Sequence, residues 1–217
     1  YKEYNDEVIA HCREYQETHK YRTEISLDIK NFFPSISPQF IFEYVLRTLE
    51  YTYESEEDQD TLKRILAKLL YFNIRKENLE GLEEDYYSKP IDGDVYMNCG
   101  IAQGLPQSYL FGNICMIEIY NKIRKIEEFK NGDFLFYVDD SVIYIKSELD
   151  KSEFNERIKR LNGSLDKFFN DKDSEDCDVY NFLPANCKKF QENLIYKVHF
   201  HEDGKSSCSY IDDADNH

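Results

Sequence analysis

Tryptophan is absent from this chain, and methionine, proline and glycine are scarce, with Met 2, Pro 5 and Gly 8 among 217 residues. No Pro/Gly-rich linker and no internal repeat is visible. The sequence also lacks any run of about 18 apolar residues, so it predicts no membrane-spanning segment and no membrane partner. It begins Tyr-Lys-Glu-Tyr, without a Met and without the apolar stretch of a secretory signal. We therefore expect a cytoplasmic protein and a piece of a longer chain.

Closely spaced cysteine pairs are missing as well. The absence of a C-x-x-C spacing disfavours a zinc ribbon or a redox pair, and reduced thiols fit a cytoplasmic setting. His199, His201 and Cys208 lie along a predicted strand, and we interpret them as ordinary strand residues rather than as a metal site. The six cysteines are Cys12, Cys99, Cys115, Cys177, Cys187 and Cys208.

Acidic and aromatic residues are abundant. The net charge is −16, from 43 acidic and 27 basic residues, which by itself disfavours binding to phosphate backbones. Two acidic runs, at 50–60 and 171–178, are predicted to be solvated loops, so the total charge does not describe any particular cleft. The 18 Tyr and 15 Phe supply enough apolar surface for a folded core and argue against disorder.

The hydrophobic pattern predicts an α+β fold, an antiparallel sheet with helices on one face. A helix is expected to begin at Ser37-Pro38, since Ser is a good N-cap and Pro suits the first helical position. The other expected helices are 5–19, 59–72, 106–127 and 152–169. The expected strands are 23–29, 133–138, 141–146, 193–201 and 206–211, the last two forming a hairpin that turns at Asp203-Gly204.

Three short blocks carry residues suited to chemistry. In Ser-Leu-Asp-Ile-Lys-Asn-Phe-Phe-Pro-Ser-Ile, 26–36, Asp28 ends an apolar strand, where a buried carboxylate needs a partner or a metal. Taken alone, a capping or turn role for Asp28 is the better interpretation. In Gly-Ile-Ala-Gln-Gly-Leu-Pro-Gln-Ser-Tyr-Leu-Phe-Gly-Asn, 100–113, two glycines flank Gln103 and would let backbone approach a ligand. Taken alone, this block is an ordinary glycine turn before a helix.

The third block, Phe-Leu-Phe-Tyr-Val-Asp-Asp-Ser-Val-Ile-Tyr-Ile at 134–145, places two adjacent aspartates in an apolar run. A β-turn explains Asp in general, although Asn-Gly or Asp-Gly is the usual choice there. Two carboxylates about 4 Å apart repel by roughly 4 kcal/mol at an effective dielectric of ~20. A divalent cation would remove that cost.

Together and in this order, the blocks resemble the three palm motifs of reverse transcriptases, in particular the prokaryotic retron, group II intron and phage-defence lineages. Asp-Ile-x-x-Phe-Phe matches the first motif, Gln-Gly-x-Pro-x-Ser the second, and Tyr137-Val138-Asp139-Asp140 the third. The resemblance covers residues 23–146 well. It implies an RNA-directed DNA polymerase with a role in phage defence. Such an enzyme is a nucleotidyltransferase that extends a primer with dNTPs, and RNA or DNA serves as template and primer.

The resemblance also implies residue roles. Asp28, Asp139 and Asp140 would be the catalytic acids and would hold two Mg²⁺ ions, or Mn²⁺ in their place, with help from the Ile29 carbonyl. Phe33 would act as a steric gate against the ribose 2′-hydroxyl. Gln103 and Gly104 would line the pocket of the incoming nucleotide, and Tyr137 would lie near the primer end.

The implied architecture is a polymerase palm with a ferredoxin-like or RRM-like sheet and partial helical fingers. Residues 1–22 would be partial fingers, 23–52 palm, 53–99 a fingers insertion and 100–217 palm with the closing hairpin. The thumb would be absent or truncated. One departure from the family is Tyr109, where Pro is usual. Another concerns the basic finger residues that grip the triphosphate: the family has them upstream of the first motif, and with only 27 residues before Asp28 we expect them to be missing here. Lys20, Arg22 and Lys30 are nearby candidates, but a solvated face is the better interpretation of each. The lysine expected to protonate pyrophosphate is left open among Lys188, Lys189 and Lys197.

Several alternatives stay open. A template-independent or protein-primed DNA polymerase in phage defence fits the acidic charge and the abundant Tyr. An RNA-dependent RNA polymerase would instead carry Gly-Asp-Asp in the third motif and a polar residue at position 33. A catalytically idle palm could serve as a scaffold, with a protein partner or a second copy of the chain.

Overall fold

The computed structural model of the chain describes residues 21–49, 55–81, 87, 93–170, 178–202 and 204–211, together with a few residues between 3 and 14 that are all helical. These belong to two compact units. The first, called here the sheet unit, comprises Tyr1–Lys30, Met116–Asp166 and Val198–His217. The second, called here the helical unit, comprises Asn31–Cys115 and Lys167–Lys197.

The regular elements follow one another along the described chain. The helices are α1 (Phe32–Ser35), α2 (Pro38–Leu49), α3 (Glu56–Leu70), α4 (Pro106–Ile123), α5 (Lys151–Phe169) and α6 (Ala185–Glu192). The strands are β1 (Thr23–Leu27), β2 (Asn73–Arg75), β3 (Val95–Met97), β4 (Asp133–Tyr137), β5 (Asp140–Ile145) and β6 (Ser207–Tyr210). Short 3₁₀ turns lie at Lys76–Asn78 and Asp178–Phe182.

The sheet unit contains a four-stranded antiparallel sheet in the order β4-β5-β1-β6. With the parts of α4 and α5 that it includes, the chain runs β-α-β-β-α-β, which is the ferredoxin-like arrangement. β1 shows why one face is the core: Thr23, Ile25 and Leu27 are buried, while Glu24 and Ser26 between them are only half-buried.

Both helices of this unit contact the buried face of the sheet. Tyr120 of α4 packs edge-on against Phe134 and Phe136 of β4, each with ring centroids 5.2 Å apart. Asn162 of α5 binds the backbone of Phe200, accepting its N–H at 2.8 Å and donating to its carbonyl at 3.2 Å. The predicted α+β fold, an antiparallel sheet with helices on one face, is therefore confirmed.

The predicted closing hairpin is wrong. Phe200 bridges to Ile29, and β6 pairs with β1 from Thr23↔Tyr210 to Ser26↔Ser207, so both segments follow the same edge of the first strand. Alternating burial identifies extended backbone and the face it presents, but it does not specify the pairing partner. Asp203, at the predicted turn, lies outside the described residues.

The helical unit opens on the predicted helix start. The Ser37 hydroxyl accepts the Phe40 N–H at 3.2 Å, and the Phe40 ring packs edge-on against Phe169 with centroids 5.0 Å apart. The acidic run that we predicted to be a loop instead forms the first turns of α3 from Glu56 onward. Ser55 caps this helix, and acidic residues suit the positive end of the helix dipole. Residues 171–177 of the other acidic run lie outside the described chain.

Asn98 connects three parts of the helical unit. Its buried amide donates to the carbonyls of Leu70 at 2.9 Å and Gly100 at 2.6 Å, and its side-chain oxygen accepts the Phe72 N–H at 2.9 Å. Its own carbonyl accepts from Gln191 of α6 at 3.1 Å. These bonds join the end of α3 to the turn that leads into α4.

No helix in the described part of the chain is long and apolar enough to cross a membrane.

We predict that Gly100→Ala destabilises the chain more than Gly104→Ala. Both glycines have positive φ, 68° at Gly100 and 84° at Gly104. A Cβ at Gly100 would lie 2.3 Å from the Pro34 carbonyl oxygen, whereas a Cβ at Gly104 would have no described heavy atom within 4 Å apart from its chain neighbours. The strain of a left-handed alanine costs about 1–2 kcal/mol in both, and overpacking adds about 1–3 kcal/mol at Gly100 alone. Urea unfolding of the two variants measures the difference; equal losses would contradict the close approach.

Candidate active site

Three carboxylates gather at one end of the sheet in the sheet unit. β1 pairs antiparallel with β5, and its last residue, Leu27, lies opposite Ser141. Continuing this register by one residue places Asp28 opposite Asp140, the first residue of β5. Asp139 is in the turn that joins β4 to β5. The sheet thus brings together acids that are more than a hundred positions apart in sequence.

The turn that carries Asp139 is strained. Tyr137 and Asp140 are paired, so Val138 and Asp139 form a two-residue connection, one residue earlier than the predicted turn at Asp139-Asp140. Val138 has φ of 56°, in the left-handed region that a β-branched residue rarely adopts. A positive φ at the first central position alone is the sign pattern of a type II′ turn, where glycine is preferred. Such a conformation costs about 1–3 kcal/mol, which the surrounding strand pairs must offset.

The three acids repel one another. Burial raises the pKa of Asp139 above its ordinary 3.8; a backbone hydrogen bond partly opposes this, and the charges of Asp140 and Asp28 add to it. Burial also raises the pKa of Asp140, and the charge of Asp28 contributes. No Lys, Arg or His of the described residues forms an ion pair with any of the three. The negative charge at this end of the sheet is therefore left for a cation to balance.

Two residues to which the sequence assigned no role beside Asp28, Ser206 and His201, hold Asp28 in place. The hydroxyl of the buried Ser206 accepts the Asp28 N–H at 3.2 Å and donates to the Asp28 carbonyl at 3.3 Å. The backbone N–H of His201 donates to the same carbonyl at 2.9 Å. The Ile29↔Phe200 bridge sets His201 directly opposite Asp28. Cross-strand neighbours project on the same face, so the imidazole lies on the carboxylate side. Only the strand pairing shows that His201 lies beside Asp28, because no sequence pattern links the two residues.

The donor set suits a hard divalent cation. It consists of carboxylate oxygens and, as a further candidate, the Ile29 carbonyl oxygen, since the hydrocarbon side chain of Ile29 has no donor atom. Within the described residues no group of three or more His, Cys, Asp or Glu has a geometry that could hold a metal ion by itself. Mg²⁺ is commonly held by one or two carboxylates plus water and substrate phosphates rather than by a complete protein cage, so these residues fit it.

His199, His201 and Cys208 do not form a metal site. His199 Nε2 bonds to Asp166 Oδ1 at 2.7 Å, His201 faces Asp28, and the Cys208 thiol donates to the Leu149 carbonyl at 3.8 Å. Each of the three therefore has a separate environment.

The other residues that the resemblance singled out divide between the units. Tyr137 ends β4 in the sheet unit, 38% exposed beside the acidic turn. Phe33, Gln103 and Gly104 belong to the helical unit, where the first and second blocks meet: the Ile101 N–H donates to the Phe33 carbonyl at 3.0 Å. Gln103 and Gly104 are exposed in the turn before α4.

Phe33 has a fixed ring within the helical unit. It is buried, and its ring lies edge-on to Phe32 at 5.3 Å and to Tyr109 at 6.1 Å between centroids. Tyr109 is the residue that departs from the usual Pro, and here it forms one wall beside Phe33. This unit also contains the three candidate lysines, Lys188, Lys189 and Lys197. Lys20 lies outside the described residues.

A ferredoxin-like sheet with carboxylates at the end of its first strand and in the following hairpin defines a polymerase palm. The chain belongs to the reverse transcriptase (RNA-dependent DNA polymerase) family, whose model matches residues 3–171. Members of this family are nucleotidyltransferases. The three blocks recognised in the sequence all fall within the matched residues.

Comparisons with individual proteins add a distant likeness. One similar solved structure is that of telomerase from Candida albicans in complex with a fragment of telomeric RNA, with a TM-score of 0.45 and 10% sequence identity. The likeness covers 99% of this chain and 32% of that one, so this chain spans about a third of the telomerase chain's length. No curated protein sequence matches the chain.

We predict that Asp139→Asn makes the chain more stable at neutral pH. A carboxyl whose folded pKa is raised stabilises the fold only while it is protonated, so stability falls as pH rises from 3.8 through the raised value. An amide at position 139 does not ionise, so the variant avoids this loss of stability. The gain in the free energy of unfolding is less than about 1 kcal/mol, because the group is partly exposed. Urea unfolding in the absence of divalent cations at neutral pH and below pH 3.8 measures it, and the difference should vanish at the lower pH.

The matched control is Asp94→Asn, because Asp94 is exposed and its only described ion pair is a surface contact of 3.4 Å with Lys76. That variant should not gain stability at neutral pH. A less stable Asp139→Asn chain would contradict the repulsion among the three acids.

Proposed function

We propose that this chain is the catalytic part of an RNA-directed DNA polymerase that extends a primer with dNTPs by two-metal-ion nucleotidyl transfer. The observation that carries the proposal is the group of Asp28, Asp139 and Asp140, uncompensated by any described cation, on the sheet of a reverse-transcriptase family member. Without a bound cation, the repulsion among these three carboxylates would lower the free energy of unfolding, and no ion pair among the described residues would offset it.

Each acid has a proposed role. Asp28 and Asp139 bind Mg²⁺, or Mn²⁺ in its place, with the Ile29 carbonyl, and Asp140 supports them. The ions, when bound, lower the pKa of the primer hydroxyl and stabilise charge on the leaving pyrophosphate. The protein's own contribution is positional: Ser206 and His201 fix the backbone of Asp28, and the tight turn fixes Asp139.

The nucleotide and the primer are assigned to other residues of the three blocks. Gln103 and Gly104, exposed in a glycine turn, line the pocket for the incoming dNTP, and Tyr137 lies near the primer end. Phe33 discriminates against the ribose 2′-hydroxyl. Its packing between Phe32 and Tyr109 supports this role, because a gate must resist displacement by a single oxygen atom.

The wider biology is part of the same proposal. The template is RNA or DNA, the primer is nucleic acid, and a protein partner or a second copy of the chain takes part in the assembly. The proposed setting is the cytoplasm, which reduced thiols fit. A role in prokaryotic phage defence is proposed from the sequence resemblance together with the acidic charge.

A second candidate is template-independent or protein-primed synthesis by the same site. The net charge of −16 favours it, since an enzyme that grips a duplex neutralises phosphates with Lys and Arg. Product that stays with the protein through denaturation and is released only by protease would support this candidate. Free product copied from an added template would contradict it.

We predict that Asp139→Asn abolishes Mg²⁺-dependent dNTP incorporation while the chain stays folded. The expected loss is at least about a hundredfold, because metal stabilisation of the transition state is worth several kcal/mol and each 1.4 kcal/mol is a factor of ten. Primer extension with Mg²⁺ and with Mn²⁺ measures it, with Asp94→Asn as the active control. Full activity of Asp139→Asn would overturn the metal assignment.

We also predict that Phe33→Ala raises incorporation of ribonucleotides relative to deoxynucleotides, and that Tyr109→Ala does so more weakly by loosening the Phe33 ring. The ratio of kcat/KM for the two substrates measures selectivity separately from total activity. Equal falls for both substrates would show that Phe33 is only a core residue. A chain that already prefers ribonucleotides would instead favour an RNA polymerase.

A further inference from the structure

The helical unit contains a cleft of about 680 Å³ that is separate in its lining residues from the three acids. Its volume falls in the range of about 300–1,000 Å³ that is typical of small-molecule sites. One wall is the basic side of α3, and another comes from the 3₁₀ turn at Asp178–Phe182 and the start of α6. The residues that matter below are Asp60, Lys63, Arg64, Lys68, Phe72 and Phe182.

The charge of this lining is opposite to that of the whole chain. Lys63, Arg64 and Lys68 face one acid, Asp60, in a protein whose net charge is −16. Arg64 Nε bonds to Asp60 Oδ2 at 2.7 Å, while Lys68 forms no ion pair with any residue that the structure describes. Arg64 and Lys68 are four residues apart on one helix face, where like charges repel. An anion in the cleft would relieve that repulsion.

Aromatic rings lie beside these cations. The Arg64 guanidinium carbon is 5.7 Å from the centroid of the Phe182 ring, and both Phe182 and Phe72 are only half-buried. Exposed amides of Asn73 and Asn181 complete the lining and can both donate and accept hydrogen bonds. Flat apolar surface next to paired cations and amides matches a ligand with a planar base and a phosphate.

We propose that this cleft binds a nucleoside phosphate, with its phosphates on Lys63, Arg64 and Lys68 and its base against Phe72 and Phe182. The ligand is a free mononucleotide or one nucleotide of a single strand, since both present the same chemistry. The site is additional to the carboxylate site, and its ligand is held by protein cations rather than through a divalent metal.

The test is binding to the whole chain in EDTA, which prevents metal-assisted nucleotide binding at the three acids. The probes are ATP, adenosine, inorganic triphosphate and a short oligothymidylate, titrated by calorimetry. ATP or the oligonucleotide should bind more tightly than adenosine and triphosphate. A preference for ATP identifies a free nucleotide as the source, and a preference for the oligonucleotide identifies a strand; either supports the site.

The variants give opposite expected signs. Lys68→Ala and Arg64→Ala should each weaken binding of the preferred probe about tenfold, the scale of one charge-assisted hydrogen bond. Asp60→Asn should tighten binding, because it removes the competing carboxylate from Arg64. Phe182→Leu, which keeps apolar volume, should weaken binding of ATP or the oligonucleotide but not of triphosphate. Lys76→Ala removes a positive charge outside the cleft and should change nothing.

The proposal is overturned if no probe binds, or if inorganic triphosphate binds as tightly as ATP and the oligonucleotide. It is also overturned if Lys76→Ala weakens binding as much as Lys68→Ala does. Unchanged binding in Asp60→Asn would also count against it. Because the readout is metal-free binding rather than nucleotide incorporation, failure here would leave the proposed polymerase function standing, and failure of that function would leave this site standing.

Discussion

Hydrogen-bonded pairing along both edges of β1 is the constraint on which the rest of the sheet unit depends. On one edge, pairing with β5 sets Asp28 against Asp140; on the other, β6 and the Phe200 bridge bring His201 and Ser206 to the Asp28 backbone. A one-residue slip on either edge would turn these side chains to the opposite face. The strand register therefore determines whether the three acids share one site, and the buried residues Ile25 and Leu27 hold that register.

The acids are brought together against their mutual repulsion, and the structure shows where the opposing stabilisation lies. Phe200, Ile29 and Ile143 are almost completely buried on the face opposite to Asp28, and each buried aliphatic or aromatic side chain contributes about 1.5–3 kcal/mol. A few such residues outweigh both the carboxylate repulsion and the strain at Val138.

The total charge of −16 describes neither the acidic site nor the basic wall of α3, because at physiological salt exposed charges act over only about 8 Å.

Local signals in the sequence were sufficient for the fold class and for several of its elements. The Ser37-Pro38 helix start and the alternation of β1 each rest on contacts within a few residues, so the pattern contains the information. The positions of Ser206 and His201 depend on which strand the last segment joins, and no short-range pattern encodes that choice. The same limit explains the wrong hairpin at the end of the chain. The acidic run at 50–60 was predicted to be a solvated loop, but from Glu56 onward the Ser55 cap and the helix dipole favour a helix.

The left-handed backbone of Val138 has a consequence for how the chain can vary. Glycine would remove the strain, yet it would widen the range of conformations open to the unfolded turn and to the folded one, so that the neighbouring aspartate would sample more orientations. A β-branched residue there sacrifices some thermodynamic stability for a narrower distribution of carboxylate positions. Under the proposed function, a substitution at Val138 would therefore change the range of Asp139 orientations as well as the stability of the turn.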